Sequence, residues 1–178
     1  MEPDPSPMTD AEKTQFVLGV YFRTQAAIER YLGPAALPQW TEHVASINAE
    51  ATRKRIPDRV GQARDLLTGL ETMLEVYDSD TTRTEEPDRS QLTVRRCGIY
   101  DYRERAQRQG VQLTLKRPCE YCVDLHHRTA DQLGVRVEHE LGERSCQWVA
   151  YIPAGEEESS TADERGGTSG LSAERPPS

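Results

Sequence analysis

Residues 96–152 read RCGIYDYRERAQRQGVQLTLKRPCEYCVDLHHRTADQLGVRVEHELGERSCQWVAYI and contain all four cysteines of the chain, Cys97, Cys119, Cys122 and Cys146. Cysteine that is confined to one stretch of a chain indicates chemistry or metal binding. The same stretch carries the clearest signals of secondary structure. It therefore decides both the fold and the candidate site.

The end of this stretch has the alternating pattern of a β-hairpin. Residues that favour a buried face recur at every second position from Val135 to Leu141, residues 142–144 form a turn, and the alternation resumes from Cys146 to Ile152. Successive side chains of a strand point to opposite faces of a sheet. The pattern therefore predicts two paired strands with one buried face.

Three helices are predicted upstream, between residues 9 and 77. The first opens at a capping box over residues 9–12 and ends at Gly33. The second runs from about residue 37 to residue 55, and the third begins near Asp58. Apolar residues in all three are spaced by three and four, which is typical of a helix that buries one face.

Two further helices are predicted within the cysteine-bearing stretch, over residues 99–109 and 118–133. Leu92 and Val94 mark a short strand, and residues 111–115 form either a strand or an extended segment. The predicted fold class is α+β, with N-terminal helices packed with a small antiparallel sheet that ends in a β-hairpin.

The charge of the chain points to one folded domain with polar attachments. The net charge is −8 and only 35% of the residues are hydrophobic, and the acids concentrate at both ends and in one internal stretch. We therefore expect a single domain over residues 9–152. The predicted parts are a disordered segment 1–8, a helical part 9–77, an acidic linker 78–90, a cysteine-bearing part 91–152 and a disordered acidic tail 153–178.

The composition also indicates which classes of partner, membrane or nucleic acid, the protein is expected to lack. No apolar run reaches the roughly 20 residues of a membrane span, and the N-terminus lacks the pattern of a secretory signal, so we expect a cytoplasmic protein with no membrane partner. Basic runs at residues 53–59 and 95–108 are interleaved with acids and lack stacking aromatics. Nucleic acid is therefore an unlikely partner, and the sequence leaves the oligomeric state open.

The spacing of the cysteines predicts a metal site. Cys119 and Cys122 form a C-x2-C pair on the first turn of a helix, Cys97 ends a strand, and Cys146 lies in the hairpin. Four thiolates can hold zinc or an iron–sulfur cluster. A helix N-terminus also lowers the pKa of nearby thiols, which favours the thiolate form.

The same residues allow two other interpretations. One thiol, with Cys119 favoured, can act as a nucleophile, with His126 or Asp124 moving the proton. Alternatively, the cysteines are small buried side chains with no chemistry, as the neighbouring Trp148 indicates for Cys146. The sequence does not decide among metal binding, nucleophilic chemistry and packing.

The cysteine-bearing part resembles the L-2-amino-thiazoline-4-carboxylic acid hydrolases and, more distantly, the ligand-binding domains related to bacteriochlorophyll 4-vinyl reductase. The resemblance covers about a third of the chain. Its residues are Cys97, Tyr100, Tyr102, Gly110, Cys119, Asp124, Leu133-Gly134, the strand 135–141, and Gly142-x-x-x-Cys146-x-Trp148.

This resemblance implies an α+β domain with a pocket between helices and sheet, and a small-molecule ligand. It further implies hydrolysis of a C–N bond in a small ring. Cys122 departs from the hydrolase pattern. The competing hypothesis is a non-enzymatic sensor or regulatory module whose cysteines bind zinc or an iron–sulfur cluster.

Overall fold

The computed structural model describes residues 9–111, 113 and 115–152. The predictions of disorder for residues 1–8 and 153–178 lie outside this part of the chain. None of the described helices is long and apolar enough to cross a membrane. In chain order the elements are α1 Asp10–Leu32, α2 Ala36–Arg55, α3 Arg59–Val76, β1 Asp80–Glu85, β2 Arg89–Arg96, α4 Gly98–Arg108, α5 Pro118–Leu133, β3 Val137–Leu141 and β4 Cys146–Tyr151.

The four strands form one antiparallel sheet in the order β1-β2-β4-β3. Strands β3 and β4 are the predicted hairpin, in which Val137 pairs with Ala150 and His139 with Trp148. Strand β2 pairs with β4, so that Leu92 lies opposite Trp148. The predicted α+β fold, with helices first and a hairpin last, is confirmed.

The core lies between α3 and the two central strands. Leu67, Leu70 and Leu74 project from one face of α3 and are fully or almost fully buried, as are Leu92 of β2 and Trp148 of β4. Each fully buried leucine stabilises the fold by roughly 1.5–3 kcal/mol. The spacing of these leucines by three and four is therefore what fixes α3 on the sheet.

The acidic linker predicted for residues 78–90 is wrong. Strand β1, Asp80–Glu85, forms there and β2 begins at Arg89. No residue of β1 is buried, so it lacks the alternating apolar pattern that reveals most strands. Its position at the edge of the sheet explains this composition, and Arg83 ties it to α3 by donating to the Arg64 carbonyl at 2.8 Å.

The predicted helix ends are confirmed at three positions. Asp58 caps α3 by accepting a hydrogen bond from the Gly61 N–H at 2.6 Å. Gly33 and Gly134, with φ of 82° and 68°, follow α1 and α5 in the left-handed conformation that glycine adopts readily. Of residues 111–115, the described ones lie in no strand.

The segment between β2 and α4 is held in place from two sides. The Cys97 N–H donates to the Arg144 carbonyl at 2.9 Å, and the Gly98 N–H donates to Ser79 Oγ at 2.9 Å. A Cβ atom on Gly98 would lie 1.7 Å from the Tyr77 carbonyl oxygen. Only glycine allows this approach, which places Cys97 next to the first turn of α5.

Candidate functional site

All four cysteines line one small cavity, together with Trp148. We call it the thiol cavity. Cys97 follows β2, Cys119 and Cys122 lie on the first turns of α5, and Cys146 begins β4. The cavity has a volume of about 20 Å³, which is room for about one water molecule or a single ion but not for an organic ligand.

Burial keeps the thiols of Cys97, Cys122 and Cys146 protonated at neutral pH. It raises the pKa of Cys97, raises that of Cys146 to about 11, and raises that of Cys122 well above its ordinary value. The neighbouring thiols add to each shift, since a thiolate at one position would face negative charge at the others. For Cys122 the predicted lowering of the pKa at a helix N-terminus is therefore wrong, because burial outweighs the helix dipole.

The indole of Trp148 closes the thiol cavity. The residue is 1% exposed, and its N–H has no hydrogen-bond partner among the described residues. This N–H lowers the pKa of Cys146, although by less than burial raises it. It is therefore positioned to donate a hydrogen bond to a Cys146 thiolate. While Cys146 is a neutral thiol, its sulfur is only a weak acceptor for this N–H.

The four thiols do not form a closed metal site as they stand in the structure. In the described part of the chain, no three or more His, Cys, Asp or Glu side chains are grouped so that they could hold a metal ion. The four thiols therefore surround the thiol cavity without closing a coordination sphere. Binding of zinc or an iron–sulfur cluster by Cys97, Cys119, Cys122 and Cys146 stays a prediction.

Cys119 contacts a tyrosine from α4. The Tyr100 hydroxyl lies 3.3 Å from Cys119 Sγ. Burial and this hydrogen bond raise the pKa of Tyr100 to about 12, so the hydroxyl is neutral and can donate to the sulfur. Tyr100 is thus a hydrogen-bond neighbour of the candidate nucleophile, a role that the sequence did not predict.

The other two candidate catalytic residues have different partners. His126 lies one turn after Cys122 and donates its Nδ1–H to the Cys122 carbonyl at 2.7 Å, and burial lowers its pKa. Asp124 accepts a hydrogen bond from Arg128 at 2.6 Å, and Arg128 also reaches Glu42 of α2. The structure therefore does not assemble Cys119, His126 and Asp124 into one proton-transfer network.

A second and larger cavity adjoins the first. It has a volume of about 260 Å³ and lies among α1, α3, α4 and α5. We call it the apolar cavity. Cys122 lines both cavities, so a molecule in the apolar cavity contacts the thiol cluster. Its apolar walls include Leu18, Phe22, Met73, Ile99, Leu115 and Tyr121.

Arg103 is a functional candidate that was not predicted from the sequence. It belongs to the basic run at residues 95–108, yet it is 7% exposed and lines the apolar cavity. The feature of the sequence that indicates its burial is its spacing from apolar residues of the same helix. Arg103 follows Ile99 by four residues and precedes Ala106 by three, which places it on the buried face of α4.

Comparison with known proteins adds no relative. The chain matches no family model, and no curated protein is significantly similar to it. The resemblance to the thiazoline-carboxylate hydrolases stays a prediction.

Proposed function

We propose that the protein is a small-molecule-binding domain whose ligand occupies the apolar cavity. The observation that carries this proposal is the cavity itself, about 260 Å³ in volume, whose described lining residues are mostly apolar and include a single buried cation, Arg103. Ligand sites in proteins are concave, largely apolar and contain a few polar groups that fix orientation. Because Cys122 lines both cavities, the bound ligand would contact one of the four thiols of the thiol cavity.

Binding is better supported than hydrolysis. A cysteine nucleophile needs its thiolate, and burial raises the pKa of Cys97, Cys122 and Cys146, which disfavours these three as the nucleophile. The candidate proton carriers His126 and Asp124 have other hydrogen-bond partners.

A variant pair on α1 tests this proposal. Val17 lines the apolar cavity although much of its side chain is exposed, whereas Val20, also exposed on the same helix, does not line it. Isothermal titration with a panel of apolar compounds of about ten non-hydrogen atoms should find binding to the wild-type protein. Val17→Trp should weaken this binding at least tenfold by filling the cavity, and Val20→Trp should not. Equal weakening by both variants, or no binding by the wild type, would overturn the proposal.

A second candidate function is metal-dependent regulation through the thiol cavity. It is favoured by the Trp148 N–H, which is buried without a partner beside Cys146. A thiolate held by a metal would give this donor a strong acceptor. Binding would release the thiol protons, and the four sulfurs would have to move closer together.

Elemental analysis of the purified protein tests this candidate. About one zinc ion per chain, or iron with acid-labile sulfide and visible absorbance, is the expected result. Cys119→Ser and Cys122→Ser should each lose the metal and lower the melting temperature, because metal-binding free energy is also folding free energy. Metal-free protein that takes up neither zinc nor iron would exclude this function and leave ligand binding untouched.

A further inference from the structure

Arg103 places an isolated positive charge in the wall of the apolar cavity. Arg103 lies on α4 and is only 7% exposed. A guanidinium stays protonated in proteins and carries five N–H donors. Burial lowers its pKa, which reflects the cost of holding this charge away from water.

The described residues do not neutralise this charge. Arg103 donates from Nη2 to the Leu115 carbonyl, which is neutral. No carboxylate among the described residues lies within ion-pair distance of it. The acid that most influences it is Glu120, which is exposed and accepts the Arg117 backbone N–H at 3.1 Å.

An anion in the cavity would relieve this imbalance. Leaving a buried charge unpaired is strongly destabilising, and the penalty is offset when a counterion forms good hydrogen bonds to it. A carboxylate suits this site, because its two oxygens match the planar fork of a guanidinium and its single charge matches that of Arg103. A dianionic phosphate would instead leave an excess negative charge among apolar side chains.

The rest of the wall of the apolar cavity favours a ligand whose main part is apolar. Among the described residues of the wall, the polar side chains besides Arg103 are few, notably the buried Gln25 and the half-buried Tyr77. Burial raises the pKa of Tyr77 to about 12, so its hydroxyl is neutral. With about 260 Å³ available and roughly 30 Å³ for each water-sized group, the cavity accepts a ligand of about ten non-hydrogen atoms.

We propose that the ligand is an apolar monocarboxylate of about ten non-hydrogen atoms, with its carboxylate on Arg103 and its body along the apolar walls. This inference rests on the proposed binding function and names the class of its ligand. The end of the ligand away from its carboxylate lies against α1 and α3, where Leu18, Phe22 and Met73 carry no charge.

A pair of probes that differ only in the head group tests this assignment. Octanoate and 1-octanol have the same chain and similar size, and only octanoate carries a charge. Isothermal titration of the wild-type protein should give octanoate at least tenfold tighter binding than octanol. Arg103→Met, which keeps the length and removes the charge, should abolish this preference while octanol still binds. Arg105→Met, an exposed arginine on the same helix, should bind both probes as the wild type does.

The outcomes separate this inference from the function on which it rests. Equal affinity of the wild type for octanoate and octanol would refute the carboxylate assignment and leave small-molecule binding in place. No binding of either probe, together with no binding of the wider apolar panel, would refute both. The wild-type comparison needs no variant, so the test holds even if Arg103→Met fails to fold.

Discussion

The imidazoles of His127 and His139 share a hydrogen bond, with Nε2 of His127 2.8 Å from Nδ1 of His139. The bond joins α5 to β3, the strand at one edge of the sheet. His139 also stacks on Trp148, with ring centroids 5.0 Å apart. One ring must donate and the other accept, so full protonation of both rings would break the contact between α5 and the hairpin.

We therefore expect the protein to lose stability in mild acid. Burial, and to a lesser extent His127, lowers the pKa of His139 below its ordinary value of 6.5. The unfolded chain takes up a proton near pH 6.5 and the folded protein does not, so stability present above that pH is lost as the pH falls. The pKa of His126 is lowered as well and acts in the same direction.

Melting temperatures measured from about pH 7.5 to about pH 5 test this expectation. The melting temperature of the wild type should fall over this range, and that of His139→Gln should fall less steeply from a lower starting value. His43 is exposed on α2, so His43→Gln should keep the wild-type pH dependence. An unchanged slope for His139→Gln would show that the histidine pair does not control acid sensitivity.

Much of the fold could be predicted because it depends on local periodicity. Leu67, Leu70 and Leu74 repeat at helical spacing, and Trp148 and Ala150 alternate along a strand. These patterns state which face of each element is buried, and burial of that face is what stabilises the element. Caps and glycines then fixed the helix ends.

Other features depend on tertiary contacts that leave little trace in the sequence. Strand β1 is made of polar residues because it lies at a sheet edge, where pairing with β2 replaces apolar burial. The spacing of Arg103 places it on the buried face of α4, but the cavity that it lines also needs residues of α1 and α5, which are distant in the sequence. The convergence of the cysteines follows from strand order, because β4 inserts between β2 and β3 and brings Cys146 beside Cys97.

Two glycines with different surroundings should respond oppositely to alanine. At Gly98 a Cβ atom would lie 1.7 Å from the Tyr77 carbonyl, whereas at Gly69, inside α3, nothing lies within 4 Å. We expect Gly98→Ala to destabilise the protein by several kcal/mol, because backbone must move. Gly69→Ala should stabilise it by up to about 1 kcal/mol through helix propensity.

Urea unfolding of these two variants measures both effects. The urea concentration at the transition midpoint should fall for Gly98→Ala and rise for Gly69→Ala. The dependence of the unfolding free energy on urea concentration should stay similar to that of the wild type. A Gly98→Ala protein as stable as the wild type would mean that α3 and α4 do not approach each other as closely as described.

A leucine pair tests the packing of the sheet. Leu92 is fully buried at the centre of β2, whereas Leu141 at the end of β3 is 45% exposed. Leu92→Ala should cost about 2–5 kcal/mol, because it removes apolar contacts and leaves a cavity. Leu141→Ala should change the free energy of unfolding by only about 0.5 kcal/mol. Similar costs for both variants in urea unfolding would contradict the burial of β2 beneath α3.

The thiol cavity should make the protein sensitive to alkaline conditions. Burial raises the pKa of Cys146 from an ordinary value of 9.0 to about 11, and the pKa of Cys97 and Cys122 is raised too. Near pH 9 these three thiols lose their protons in the unfolded chain and keep them in the folded protein. Stability is therefore complete below about pH 9 and decreases as the pH rises toward about 11.

Melting temperatures of the reduced, chelator-treated protein between about pH 8 and about pH 10 measure this effect. In the unfolded chain Tyr77 and Tyr100 titrate near their ordinary pKa of 10.0, so their contribution to the loss of stability is confined to the upper end of this range. The melting temperature of the wild type should fall, and that of Cys146→Ala should fall less, because one titrating thiol is gone. Ser145→Ala, a change at the adjacent residue that removes no titrating group, should follow the wild type. If Cys146→Ala and the wild type lose stability in parallel, Cys146 is ionised as easily in the folded protein as in the unfolded chain.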